Sequence, residues 1–158
     1  MQGTLVELPT WIGTRDGDPV AAALYARHYS YYQHADNRRA QHGYRNRFLI
    51  VGPGEKMVLL TPTHDALFVW RKFIDKCPGQ TGVNCAVFRN ESDQRASDLI
   101  LAAEAAARKR WPHERLYTYV NVAKIRASRT PGRCFIKAGW RYCGQTGSGL
   151  LILEKFPE

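Results

Sequence analysis

The stretch that decides the fold runs from residue 83 to residue 120. Val83-Asn84-Cys85-Ala86-Val87-Phe88 reads as a buried-type strand, and the polar loop 89–95 follows it. Ala96, Leu99, Ile100, Ala103 and Ala107 then recur at helical spacing, with Asp98, Glu104 and Arg108 off that stripe, which predicts a helix over about 95–110. Leu116-Tyr117-Thr118-Tyr119-Val120 returns as a strand. Strand, helix and strand in that order make a crossover unit, and a crossover of this length implies a parallel pair.

Working outward, Phe48-Leu49-Ile50-Val51 and Met57-Val58-Leu59-Leu60 flank Gly52-Pro53-Gly54-Glu55 and read as two strands joined by a tight turn. Ala66-Leu67-Phe68-Val69-Trp70 extends them into a meander. Residues 1–15 show no clear period. Asp16-Gly17-Asp18-Pro19 then supplies a cap and a first-turn proline for a helix through Val20 to Arg27. After the crossover, Thr130-Pro131 opens a short helix through Phe135 and Ala138 that Gly139 closes, and Leu150-Leu151-Ile152-Leu153 is a last strand. The expected class is α+β: a mixed sheet, antiparallel meander first and strand-helix-strand unit second, with helices on both faces. A chain of 158 residues has the size of one domain, read here as 1–158, and 44% hydrophobic residues exclude a wholly disordered chain.

Lysine plus arginine number 23 against 14 acids, a formal net charge of +9. Fixed positive charge attracts polyanions and releases their counterions, so nucleic acid is the favoured partner, against a basic protein with no such partner. No run approaches the ~20 apolar residues that cross a bilayer, and 1–10 lacks a basic start followed by an apolar stretch; no membrane association and a cytoplasmic location are expected. Cys77, Cys85, Cys134 and Cys143 never form Cys-x-x-Cys, so a zinc site made of all four is a weak alternative.

The composition changes between Arg27 and Arg47. Arg27, Arg38, Arg39, Arg45 and Arg47 stand against one acid, with His28, His34 and His42 and with Tyr29, Tyr31, Tyr32 and Tyr44 among them. The arginines suit phosphates, and Tyr31 and Tyr32 between them offer stacking surfaces for bases; a solvated basic loop is the alternative. His28 suits a general base or a metal ligand, or a histidine satisfied at a helix edge. Tyr29 can polarise a carbonyl, pass a proton, stack on a base, or pack in the core. Ser97 and Asn121 follow neighbouring parallel strands, where open α/β sheets bind ligands, and both residue types also cap helices. Arg71 and Arg89 follow strands and reach either the same cleft or a surface ion pair. His64-Asp65 reads as a turn rather than a metal pair.

The element order over residues ~45–155, with a short helix ending in Lys137-Ala138-Gly139-Trp140, resembles the general-control N-acetyltransferase (GNAT) superfamily. That superfamily holds acetyl-CoA pyrophosphate on backbone amides at a helix start through Gln/Arg-x-x-Gly-x-Gly/Ala. Here the matching stretch is Gln94-Arg95-Ala96-Ser97-Asp98-Leu99, without glycine and with Asp98 where a phosphate would lie, which speaks against acetyl-CoA as cofactor. A narrower resemblance rests on Arg27-His28-Tyr29-Ser30, on Val87-Phe88-Arg89-Asn90-Glu91 leading to Ser97, on Tyr117-Thr118-Tyr119-Val120-Asn121, and on Cys134-Phe135-Ile136-Lys137-Ala138-Gly139-Trp140. Together these are similar to the Mom-type DNA modification proteins of bacteriophages.

The resemblance implies a divergent GNAT fold that places a carbamoylmethyl group on the exocyclic amine of adenine in DNA, protecting phage DNA from restriction in the host cytoplasm. It implies His28, Tyr29 and Ser97 as functional residues and associates iron with the family, with His28 as the candidate ligand. Where the family carries an aspartate after the Tyr-Val strand, this chain has Asn121, and an amide is neither a carboxylate base nor a strong metal ligand. The exocyclic amine is a poor nucleophile, so its attack needs a base, a metal or an activated donor, and a base inside a duplex must first be extruded or single-stranded. The alternatives are a CoA-dependent N-acetyltransferase and a non-catalytic nucleic-acid-binding module. The sequence leaves the oligomeric state open, a dimer included.

Overall fold

The computed structural model describes residues 10–28, 48–73, 80–124 and 130–158. The elements in chain order are β1 (Ile12–Thr14), α1 (Pro19–Ala26), β2 (Glu55–Leu60), β3 (Ala66–Lys72), β4 (Val83–Asn90), α2 (Ala96–Arg110), β5 (Leu116–Val120), a 3-10 turn (Val122–Lys124), α3 (Arg133–Lys137), β6 (Arg141–Gln145) and β7 (Leu151–Lys155). Among the described residues seven strands form one sheet in the order β1-β2-β3-β4-β5-β7-β6. Every pairing is antiparallel except β4 with β5. The class is therefore α+β with a mixed sheet, and the crossover over 83–120 supplies its parallel pair. No helix among the described residues is long and apolar enough to cross a membrane.

Each helix lies where its apolar stripe finds a sheet face. Asp18 caps α1 by accepting from the Val20 and Ala21 amides at 2.8 and 3.2 Å, and Pro19 takes the first helical position, where its missing N–H costs nothing. Ala21, Leu24 and Tyr25 of α1 bury against Val58, Leu67, Val69 and Val87 on one face. On the other, Ile100, Ala103 and Ala107 of α2 pack on Phe68, Trp70, Leu116 and Leu153. Two indoles fasten α2 through its own carbonyls: Trp11 Nε1 donates to Leu99 O at 2.9 Å and Trp70 Nε1 to Ala103 O at 3.0 Å.

Three local expectations give way. Phe48–Val51 is not a strand; the Asp16 carboxylate accepts from the Ile50 and Val51 amides at 2.7 and 3.2 Å, so these donors are satisfied without a ladder. The neighbour of β2 is instead β1, drawn from the stretch that showed no period. β6 was not foreseen either: its residues are all exposed and include Gly144, so it carries no alternation of burial. Glu104, placed off the apolar stripe, is 7% exposed. It accepts hydrogen bonds from Trp140 Nε1 and, at 2.8 Å, from Lys155 Nζ, which also donates to Ala138 O at 2.7 Å. One carboxylate thereby ties α2 to the end of α3 and to β7.

The corner after α3 needs Gly139, whose φ of +93° lets the chain turn into β6. Replacing Glu104 by alanine leaves the Trp140 indole without its acceptor and the Lys155 ammonium without its counter-charge, with only the Ala138 carbonyl to accept from it. We expect a loss of about 3 kcal/mol, read from the urea midpoint, with Glu104→Gln costing less because it keeps an acceptor for the indole.

Candidate active site in the parallel-strand cleft

β4 and β5 pair over three residues only, Val83 with Leu116, Asn84 with Tyr117 and Cys85 with Thr118. Beyond that point β4 stays with β3 and β5 stays with β7, so the two strands part. A bulge at Ala86 marks the split: Val69 opposes Val87 while Trp70 opposes Cys85, leaving one extra residue in β4. The bulge also reverses the side-chain alternation, so Val87 faces α1 while Cys85 and Phe88 face the α2 side. Thr118 Oγ1 closes the last rung by donating to Cys85 O at 3.1 Å.

A cavity of about 550 Å³ occupies the gap. Its walls come from the parted strands, the start of α2 and the segment around α3, with Phe88, Tyr119 and Phe135 as aromatic surface. Gly132 lines it with φ +70°, and a Cβ there would come within 2.4 Å of Leu153 Cδ1, so this wall accepts no side chain at that point.

His28 stands in this cavity, 8% exposed, just past the end of α1. Its amide donates to Tyr25 O at 2.8 Å, its ring stacks on Tyr25 at 6.4 Å between centroids, and it is hydrogen-bonded to the Phe88 backbone. Burial holds the imidazole down to about pKa 4, the Arg89 guanidinium pushes the same way, and the Phe88 bond opposes them. It is neutral at physiological pH, with the lone pair a base requires. Ser97 lies in the first turn of α2, 7% exposed, and its hydroxyl makes no hydrogen bond among the described residues.

The other sequence candidates distribute differently. Asn121 lies outside the cavity wall, where its Oδ1 accepts from the Ala123 amide at 3.1 Å and caps the 3-10 turn. Arg27 grips Glu91 with Nε and Nη2 at 2.7 and 3.0 Å, which fastens the end of α1 to the end of β4. Arg89 Nε reaches the same carboxylate at 3.0 Å. Arg71 donates to Pro53 O at 2.8 Å and covers the Phe73 ring, away from the cleft. His64 and Asp65 form a turn, with the Thr61 and Thr63 hydroxyls donating to the Asp65 carboxylate. Tyr29, Tyr31, Tyr32, Arg38, Arg39, Arg45 and Arg47 lie outside the described residues.

Sequence reasoning did not foresee Arg95, Arg133 and Lys137, which line the cavity. Their signal was spacing: Arg133 and Lys137 are four apart on one helix face, and Arg95 precedes the start of α2. Asp98, expected where a phosphate would lie, is exposed and is not part of the wall. Cys85 and Cys134 also line the cavity, and burial raises both thiols, which makes them poor nucleophiles at neutral pH. Among the described residues no three His, Cys, Asp or Glu side chains converge, so these residues do not supply a ligand set for iron around His28.

Comparison of the chain with protein-family models, with curated proteins and with solved structures finds no match.

His28 yields a pH prediction with a definite sign. An unfolded histidine binds a proton near pH 6.5, and the folded one refuses it until about pH 4, so stability is fully present above the unfolded value and declines as pH falls between the two. The loss reaches about 3 kcal/mol at pH 4. Urea midpoints for the wild type and His28→Gln across this range should converge as the pH drops, since the variant lacks this proton uptake.

Proposed function

We propose that this protein is a DNA-modifying transferase of the Mom type on a GNAT-like scaffold, acting on the exocyclic amine of adenine. The observation that carries the reading is the neutral His28 imidazole, buried in the cleft where the parallel strands part and sharing that cleft with Ser97. The order of meander, parallel crossover, short helix and terminal hairpin supports the scaffold assignment.

The chemistry follows from the placement. A target adenine enters the cleft extruded or single-stranded and lies against Phe88 and Tyr119. His28 accepts the amine proton as nitrogen attacks the electrophilic carbon of the donor; the N–C bond forms as the bond from that carbon to the donor's leaving group breaks, and the leaving group departs with the electron pair. Ser97, at the positive end of α2, donates a hydrogen bond to the leaving group as negative charge develops on it. Tyr29, adjoining His28 in the chain, is the second candidate for proton transfer. Arg38, Arg39, Arg45 and Arg47, with Tyr31 and Tyr32, serve in this reading as contacts to the DNA outside the cleft.

One observation favours a second reading, a CoA-dependent N-acetyltransferase. The first turn of α2 opens into the cleft with Arg95 and Ser97 at hand, and Asp98 does not block it. That reading requires saturable heat on titration with acetyl-CoA, and calorimetry separates the two.

The decisive experiment expresses the protein in cells and digests their DNA to nucleosides for mass spectrometry. We expect a modified deoxyadenosine with the wild type and a reduction of at least about 100-fold with His28→Ala, the scale of general-base loss. Ser97→Ala should retain a few per cent of activity. Unmodified deoxyadenosine throughout, with soluble wild-type protein present, sinks the proposal.

A further inference from the structure

The cleft is electrically one-sided. Among the described residues it is lined by Arg95, Arg133 and Lys137 and by no aspartate or glutamate. Elsewhere six acids are drawn into ion pairs: Asp16 with Lys56, Glu55 with Arg110, Glu91 with Arg27 and Arg89, Glu114 with Lys72, Glu154 with Arg115 and Arg141, and Glu104 with Lys155. None of the three cleft cations joins an ion pair among the described residues. Like charges gathered on one concave wall repel each other, and an anion relieves that repulsion.

Depth sorts the groups. His28 and Ser97 are buried, whereas Arg95, Arg133 and Lys137 are exposed at the rim of the same cavity. A ligand that satisfies both levels places an uncharged reactive part inside and its negative charge at the mouth. A nucleotide still joined to its strand has that form: the base enters while the phosphodiester stays outside.

We propose that Arg133 and Lys137 of α3, together with Arg95 before α2, form a phosphodiester clamp that holds a single nucleic-acid strand at the mouth of the cleft. The clamp rests on the DNA reading above and adds contacts that lie outside the 27–47 segment. The i, i+4 spacing puts Arg133 and Lys137 on one face of α3, so two cations meet the strand from a short helix.

Counterion release supplies the test. Affinity for a fluorescent single-stranded oligonucleotide is measured against salt for the wild type, for Arg133→Gln/Lys137→Gln, and for the control Arg15→Gln/Lys109→Gln, which removes the same charge from exposed positions outside the cavity. Each lost phosphate contact on a single strand flattens the slope of log K against log salt by about 0.7, so the cleft variant should lose about 1.4 and the control should keep the wild-type slope. Arg133→Lys/Lys137→Arg should restore it, and circular dichroism checks that each variant is folded.

Equal slopes in the cleft variant and the wild type overturn the clamp, as does an equal loss in the control. Loss of CoA binding in the cleft variant with its DNA slope intact also overturns it, since the cations then serve a small phosphorylated donor. The nucleoside digest remains separate: adenine modification with an unchanged slope removes the clamp alone, and a flattened slope without modification removes the enzymatic reading alone.

Discussion

The hydrogen bond from the Thr118 hydroxyl to the Cys85 carbonyl is the point on which the cleft depends. Parallel strands separate only if the backbone groups freed by the separation find other partners, because an orphaned buried carbonyl costs on the order of 1–3 kcal/mol. Here the extra residue at Ala86 turns β4 aside and a buried side chain takes over the last rung. Everything chemical about the site follows from that opening: a hollow between two central strands, reached by the start of α2 and by the turn after α1.

The long-range architecture was legible because its signals were periodic or compositional. The stripe of α2, the strands on either side of it and the Asp18-Pro19 start of α1 all stand where the residues implied. What escaped were features whose cause lies elsewhere in the chain. Asp16 reaches residues 50 and 51 across more than thirty positions, and Glu104 is buried because Trp140 and Lys155 arrive to meet it. The bulge at Ala86 has no local mark, since Val83-Asn84-Cys85-Ala86-Val87-Phe88 reads as an unbroken strand. For the site, His28 and Ser97 could be placed from their neighbours in sequence, whereas the part played by Asn121 depended on the 3-10 turn that its side chain caps.

The electrostatics of the cleft and of the scaffold complement each other. Six acids of the scaffold are held in ion pairs, whereas the cations that line the cleft meet no acid there among the described residues. Burial, with the Arg89 guanidinium acting the same way, keeps His28 unprotonated. The neutral base and the cations at the mouth thus have different causes: the depth of the ring, and, among the described residues, a lining without acids.

The outer strands of the sheet carry a consequence of a different kind. β1 is three residues long, and β6 has an additional residue at Cys143 between its pairings with Leu153 and Ile152. A strand from another molecule adds readily only to a straight ladder several residues long. Among the described residues these two margins present a short stub and a kinked ribbon, which give little foothold to the edge-on stacking from which insoluble fibres grow.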